Sequence, residues 1–322
     1  MKIRYISHGL FKTGGYRHEM VLYNALIEYF KPQIISHKVY RIEKEFKSLL
    51  GYLYLLIWSF FKSNANINVV VARSAFSAIM RNWFNQKEVW IVLHNYDEND
   101  NKSGFYNFYF QVLWRILSKI KHNRFKVIAV SPYWVKFFKN EKGIKPVYLF
   151  PNLFDTTFYN DFRVKQKNKW VHLGQFSSKN DPQIFALARQ LTQIGYYCYF
   201  STLDQKQAQS HNGQFEIICF FNFEDYLNQM AMSSCTLALS SVKEGWNRVA
   251  HESMLVGTPV IGYKKAGLGD LIRESQSVDV KNIDEAFTCI LNSLWVLPSD
   301  DFVLKYDLSK APNYIKDICS NH

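Results

Sequence analysis

Short apolar runs rich in β-branched and aromatic residues alternate along this chain with segments of helical spacing, and the series runs through twice. The first series is "KIRYIS", "QIISHKVY", "INVVVARS", "VWIVLHN", "FKVIAVSP" and "PVYLFPN". Amphipathic stretches such as "GYRHEMVLYNALIEYF" and "FYNFYFQVLWRILSKI" lie between its members. Near residues 153–168 it breaks into polar sequence that reads as a hinge, and a second series follows: "KWVHLGQF", "YYCYFSTL", "FEIICFF", "CTLALSS" and "TPVIGY". Strands that alternate with helices pair in parallel, and parallel strands covered on both faces read as unbroken apolar runs. The pattern predicts an α/β chain of two Rossmann-like domains facing each other across a cleft. The first spans residues 1–158 and the second 166–304, and a C-terminal helix in 305–322 returns to the first domain.

Length and composition agree with this. A chain of 322 residues, 48% apolar and 17% aromatic, can bury two cores of about 150 residues each. No low-complexity tract or solenoid repeat interrupts it. The opening "MKIRYISHGL" lacks the continuous apolar core of a secretion signal and reads as a strand entering a polar loop. Five cysteines, Cys198, Cys219, Cys235, Cys289 and Cys319, form no C-x-x-C and are odd in number, which suits a reduced, cytosolic chain. The net charge of +12 is unevenly placed. Residues 1–160 hold 23 Lys/Arg against 10 Asp/Glu, whereas residues 161–322 hold 16 against 17. The first half is therefore expected to meet something anionic.

In open α/β sheets ligands bind outside the carboxyl ends of the strands, so four loops matter most: "HGLFKTGGYRHE", "LHNYDEND", "GQFSSKND" and "SSVKEGWN". The last leads into "KEGWNRVAHESMLVGTPVIGY", residues 243–263, in which Glu244 and Glu252 are separated by seven residues. Glu244 precedes a helix that stops at Gly257 and Pro259, and Glu252 lies about one and a half turns inside it. Free amides at a helix start attract phosphate, and a carboxylate accepts from both hydroxyls of a vicinal diol. The arrangement suits a phosphate held between two polyhydroxyl groups, as in a nucleoside-diphosphate sugar. A bare pair of glutamates would more often be ordinary helix-start acids. The surrounding residues turn that reading around.

"EGWNRVAHESMLVGTPVIGY" followed by "GLGDLI" resembles the signature of the retaining glycosyltransferases of family 4, which have the two-domain GT-B fold. The resemblance continues in "SHGLFKTGGYRHE", "IAVSPYWVKFF", "VYLFPNLFD" and "WVHLGQFSSKND", and so covers nearly the whole chain. It implies that the first domain binds the acceptor and the second the nucleotide sugar. By the same resemblance, Glu244 contacts donor-sugar hydroxyls and Glu252 the ribose diol. The backbone amides of Gly245, Trp246, Asn247 and Arg248 meet the distal phosphate or the sugar. Gly14 and Gly15 match a double glycine that lets backbone approach a phosphate and tolerates positive φ. His94 matches a strand-end histidine that hydrogen-bonds the sugar. The expected reaction groups are His94, Lys179 and Glu244.

One position departs from the family pattern. The usual arginine after the strand-end glycine is Gln175 here, following Gly174, and Lys179 alone remains of the pair that grips the diphosphate. The loss removes a bidentate phosphate clamp, and Arg248 is a hypothetical replacement.

Resemblance implies retention of anomeric configuration by front-face attack, with no cofactor and no metal; the chain has no Asp-x-Asp triplet. Asp97 and Asp100 in "NYDEND" are too far apart for that motif and read as a solvated loop. The expected donor nucleotide is UDP or GDP, with base contacts from the loops near Ser201 and Phe221–Phe223. The expected acceptor is a polysaccharide or lipid-linked oligosaccharide at the inner face of the plasma membrane. Two stretches suit a helix lying in an anionic interface: residues 49–61, "LLGYLYLLIWSFF", too short for the roughly twenty residues of a span, and "FYNFYFQVLWRILSKIKHNRFK", with Arg115, Lys119, Lys121 and Arg124 among its aromatics. A nucleic-acid partner would explain the charge and not the glutamate pair, and no such binding motif is present. A catalytically silent sugar- or lipid-binding module of the same fold is the competing reading, motivated by Gln175.

Overall fold

The computed structural model describes residues 1–7, 14–42, 49–96, 104–120, 122–164, 166–210 and 213–320. Asp97, Asp100 and Lys121 lie outside the described residues. The chain divides into two compact units: Met1–Leu153 together with Leu308–His322, and Phe154–Asp307.

The first unit runs β1 (Lys2–Ser7), α1 (Gly14–Phe30), β2 (Ser36–Arg41), α2 (Leu49–Lys62), β3 (Ile67–Val71), α3 (Ala72–Asn82), β4 (Glu88–Leu93), α4 (Gly104–Lys119), β5 (Phe125–Ala129), α5 (Pro132–Lys136) and β6 (Val147–Leu149). Its sheet is parallel throughout, in the order β2-β1-β3-β4-β5-β6. The central strands β3 and β5 are buried at every residue, as parallel strands covered on both faces are, Asn68 and Lys126 being the polar exceptions in otherwise apolar runs. The edge strand β2 leaves Ser36, His37 and Lys38 exposed. Tyr5, Val69, Trp90, Val92 and Ile128 form the core with Leu22 and Leu26 of α1.

The second unit runs α6 (Thr156–Asn160), β7 (Asn168–Gln175), α7 (Ile184–Gln193), β8 (Tyr197–Thr202), β9 (Gln209–Ser210), β10 (Glu216–Cys219), α8 (Phe223–Met232), β11 (Ser233–Ala238), α9 (Arg248–Leu255), β12 (Val260–Gly262), α10 (Ala266–Glu274), β13 (Val278–Asp279), α11 (Ile283–Leu291) and α12 (Asp300–Lys305). Its sheet order is β13-β12-β11-β7-β8-β10-β9, parallel except for β9 against β10. Leu173, Leu187, Phe200, Ile217, Leu237 and Ile261 centre its core. A last helix, α13 (Ala311–Ser320), packs on α1 and adds Ile315 and Ile318 to the first unit's core.

The sequence set the first boundary at 158 and read 153–168 as a hinge; the structure divides the chain after Leu153, and α6 belongs to the second unit. Apolar burial is the reason. Phe154 and Tyr159 are buried, and Phe154 stands against the His251 ring at 4.4 Å. The chain returns to the first unit at Leu308 rather than at 305.

The two expected interfacial helices separate by what they bury. On α4, Phe110, Leu113, Trp114 and Leu117 are buried, and the outward row holds Gln111, Arg115, Ser118 and Lys119, with Phe108 its one large apolar member among the described side chains. It is a core helix with a polar outer face, which corrects its reading as an interfacial helix. The outward face of α2 is apolar.

Candidate functional site

Each sheet reverses its winding once, β1/β3 in the first unit and β7/β11 in the second, and such switch points leave a crevice at the carboxyl ends of the strands. The sequence-predicted residues fall around both.

In the first unit β1 ends at Ser7, whose hydroxyl donates to Glu19 Oε2 at 2.6 Å. Glu19 is buried on α1, and its Oε1 lies 3.0 Å from Nε2 of His94, the residue after β4. A carboxylate only accepts, so Nε2 carries the proton and Nδ1 is the ring's remaining nitrogen. The His94 side chain is 28% exposed. His18, one residue before Glu19, meets the His94 ring edge-on at 5.1 Å and donates from Nε2 to the Phe150 carbonyl at 2.8 Å. Burial, and next the Glu19 charge, push the Tyr5 phenol well above its ordinary range. Gly14 and Gly15 are the first residues of α1. Gly15 does not use the positive φ expected of it; it lies over His94, where an added Cβ would be 3.7 Å from Nε2.

In the second unit Gly174 is the penultimate residue of β7; its φ of +86° favours glycine, and a notional Cβ there would sit a tight 3.0 Å from the Leu237 carbonyl. Gln175 follows, exposed. The next loop is stapled to the loop after β11. The carbonyl of Lys179 accepts from Ser241 N at 2.8 Å and from its hydroxyl at 2.9 Å. The Asp181 amide donates to the Leu239 carbonyl at 2.9 Å, and Tyr263 donates to the Asp181 carboxylate at 2.8 Å. Lys179 and Glu244 are thus carried on joined loops at the second sheet's switch point.

Glu244 is half-buried, and its carbonyl accepts from Gly267 N at 3.1 Å. A Cβ on Gly267 would stand 1.6 Å from the Gly245 carbonyl oxygen, so this backbone contact exists only with glycine at 267. Beside it Ala266 holds a φ of +51°, a conformation that costs a non-glycine residue about 1–3 kcal/mol. Trp246 is buried against Tyr306 at 5.1 Å, and its indole N–H donates to His251 Nδ1 at 2.9 Å. Its side chain anchors the loop, which leaves the backbone for any ligand. Asn247, at φ +56°, caps α9 by accepting from Ala250 N at 2.9 Å.

Arg248 opens α9, and its Nε donates to Glu252 Oε1 at 2.8 Å. Its guanidinium covers the Phe154 ring at 4.2 Å, and its buried Nη1 has no hydrogen-bond partner. The Tyr159 hydroxyl reaches the same Oε1 at 3.3 Å. Glu252 is 4% exposed. Its carboxylate is therefore oriented by two donors on one oxygen, one turn inside a capped helix.

Behind this loop lies a neutral polar layer. His172 bonds Thr236 through Nδ1 at 3.3 Å and Ser201 through Nε2 at 3.1 Å, and burial, partly offset by a hydrogen bond with the Gly174 backbone, pushes it down to about 3. Burial, then the Arg248 charge, hold His251 well below its ordinary range. Ser201, beside the loop expected to supply base contacts, has its hydroxyl turned inward to His172. Phe221 is exposed, whereas Phe223 lies parallel to Phe158 at 6.4 Å. Glu19, Tyr159, His251 and Gly267 were not singled out from sequence. Glu19, His251 and Gly267 lie within the quoted stretches "SHGLFKTGGYRHE", "EGWNRVAHESMLVGTPVIGY" and "GLGDLI", whereas Tyr159 carried no local signal.

No family model matches the sequence, and no curated protein matches it. Solved structures do. The structure of Anabaena Alr3699/HepE in complex with UDP-glucose matches with a TM-score of 0.73 at 14% identity, over 100% of both chains. The same protein with UDP and glucose gives 0.71 at 15% identity. A sucrose-phosphate synthase from Thermosynechococcus elongatus gives 0.66 at 12% identity, covering 98% of this chain and 94% of its own. A glycosyltransferase from Rickettsia africae gives 0.60 at 13% identity, over 100% and 99%. At these identities the likeness is one of fold: the chain has the two-sheet GT-B architecture of these proteins.

Proposed function

We propose that the chain is a retaining, metal-independent glycosyltransferase that moves a sugar from a nucleoside-diphosphate sugar to a polysaccharide or lipid-linked oligosaccharide at the cytoplasmic face of the membrane. The observation that carries this reading is Glu252: a buried carboxylate, fixed through one oxygen by Arg248 and Tyr159, inside the capped helix that starts at the second sheet's switch point. That carboxylate is assigned the ribose diol, and half-buried Glu244 the donor-sugar hydroxyls. The first amides of α9 and the Lys179 ammonium are assigned the diphosphate. From the first unit, His94 is assigned a sugar hydroxyl through Nδ1, its Nε2 being engaged by Glu19.

In the reaction the bond from the anomeric carbon to the diphosphate oxygen breaks and a bond from the acceptor oxygen to that carbon forms on the same face. The acceptor's proton passes to the departing phosphate oxygen. The protein's contribution is to hold positive charge and amide dipoles where negative charge builds, a preorganised stabilisation that needs no movement at the transition state. Metal independence rests on the resemblance and on the missing Asp-x-Asp triplet.

Calorimetry with UDP, GDP, dTDP and ADP in the presence of EDTA tests this, UDP first because the HepE structures hold UDP and UDP-glucose. Micromolar binding of one diphosphate, abolished in Glu252→Ala, is the expected result. The silent-module reading rests on Gln175, exposed where a clamp cation is missing, and on Arg248 being engaged with Glu252. Absence of binding to every diphosphate would overturn the transferase reading and put the silent module first; transfer or hydrolysis of a donor would exclude the silent module.

A further inference from the structure

Gln175 leaves the loop after β7 short of a cation. Arg248 is engaged, since Glu252 holds its Nε at 2.8 Å and its guanidinium covers Phe154. On the loop between β12 and α10, Lys264 is engaged as well, 3.6 Å from the Asp279 carboxylate. Its neighbour Lys265 is not. Among the described residues Lys265 forms no ion pair, and its ammonium donates to the Ser241 carbonyl. A half-buried ammonium whose partner is a neutral carbonyl keeps its charge for an anion.

Ser241 joins Lys265 to Lys179. Its amide and hydroxyl donate to the Lys179 carbonyl at 2.8 and 2.9 Å, and its own carbonyl accepts from Lys265. The loops that follow β7, β11 and β12 therefore meet at this residue, with Glu244 a few positions beyond it. The local backbone places Lys265 there. Lys265 is extended, with φ −124°, Ala266 after it holds φ +51°, and Gly267 N is bound to the Glu244 carbonyl at 3.1 Å. A non-glycine residue in the left-handed region persists only where its surroundings fix it, and such positions gather at ligand sites. An ammonium carries three N–H groups. The Ser241 carbonyl takes one, and the others are left for phosphate oxygens, which lysine binds as a point charge.

We propose that Lys265 is a phosphate-binding residue of the donor site. Its ammonium, held on the Ser241 carbonyl, and that of Lys179 share the charge of the diphosphate, two point charges where the resemblance leads one to expect an arginine and a lysine. The assignment deepens the transferase reading and rests on it, yet the two fail in different ways.

Calorimetry on the full-length protein, with EDTA and at low and high salt, compares wild type with Lys265→Gln, Lys265→Arg and Lys264→Gln. The probes are whichever of UDP, GDP, dTDP and ADP the wild type binds, and the matching nucleoside. Lys265→Gln should weaken the diphosphate at least about ten-fold and leave the nucleoside unchanged. The remaining affinity should depend less on salt, because one screened contact is gone. Lys265→Arg, which keeps the charge, should retain most of the affinity. Lys264→Gln, one residue away and paired with Asp279, should change nothing. Melting temperatures of the free proteins should agree, since a glutamine amide can still donate to the Ser241 carbonyl. Diphosphate affinity that survives Lys265→Gln overturns the proposal and leaves the transferase reading standing. Equal losses in Lys264→Gln and Lys265→Gln overturn it too, by reducing the effect to the loop's net charge. So does a loss shared by nucleoside and diphosphate with a lower melting temperature, which would make Lys265 a support for the loop. Wild-type protein that binds none of the four diphosphates removes the transferase reading itself.

Discussion

Arg248 and Glu252 lie one helical turn apart on α9, joined through Nε and Oε1 at 2.8 Å, with side chains 14% and 5% exposed. Breaking such a pair strands the carboxylate more than it forfeits an attraction, because the group remains buried. Arg248→Met keeps the stem over Phe154 and removes the charge. It should destabilise the protein by about 1–3 kcal/mol and weaken diphosphate binding at least about ten-fold. Urea denaturation and calorimetry on the same preparation check both. A destabilised variant with unchanged nucleotide affinity would make Arg248 a support for Glu252 and not a phosphate contact.

Two glycines give opposite expectations for the same substitution. At Gly267 a methyl would meet the Gly245 carbonyl oxygen at 1.6 Å, and backbone on both sides must move. At Gly15 it would lie 3.7 Å from the His94 ring, an ordinary contact. Gly267→Ala should therefore displace the Glu244 loop and abolish diphosphate binding, with a fall in melting temperature of several degrees. Gly15→Ala should leave stability within about 1 kcal/mol and alter only donor turnover. Equal behaviour of the two variants would contradict the close backbone packing at α10.

The alternation of strands and helices was legible because parallel strands buried on both faces leave an unmistakable apolar run, and β1 to β8 and β10 to β12 fall where those runs lie. β9 and β13 are two residues long and leave no such trace. The segment around α6 looked like a linker because Thr156, Asn160 and Asp161 are polar, yet its few aromatics decide its placement. The glutamate pair was legible as a motif. Its clamp was not, since Tyr159 is 93 residues from Glu252 and pairs with it only through the fold. Interfacial helices were ambiguous for a related reason. Basic residues beside aromatics occur on both α2 and α4, and only packing shows which apolar face is left outside.

Two buried imidazoles should make the protein acid-sensitive. His172 is pushed down to about 3, and His251, whose Nδ1 accepts from Trp246, is held well below its ordinary range. Unfolded, both take up protons near pH 6.5; folded, neither does until far lower. Their stabilisation is therefore complete above about pH 6.5 and declines as pH falls below it, by about 1.4 kcal/mol per pH unit for each group. Urea denaturation between pH 7.5 and 5 should show a flat upper part and a decline below about 6.5. His251→Gln, which keeps an acceptor for the Trp246 indole, should roughly halve the slope. A slope unchanged in that variant would mean that His251 protonates in the native state at its usual pH.

Gln175 offers a gain-of-function test at the position where the resemblance fails. It is exposed at the end of β7, directly after Gly174, so a longer side chain there meets no packed neighbour. Gln175→Arg restores a planar fork with the geometry to grip two phosphate oxygens at once. With the native site otherwise intact, the substitution should tighten diphosphate binding by about ten-fold, or ~1.4 kcal/mol, and leave the melting temperature of the free protein unchanged. The gain should shrink at high salt, and a lysine at 175, a point charge without the fork, should recover only part of it. If arginine adds nothing while Arg248→Met removes affinity, the clamp has moved to α9. If arginine adds affinity and Arg248→Met costs none, the site lacks its clamp, and the residual binding is carried by Lys179, Lys265 and the start of α9.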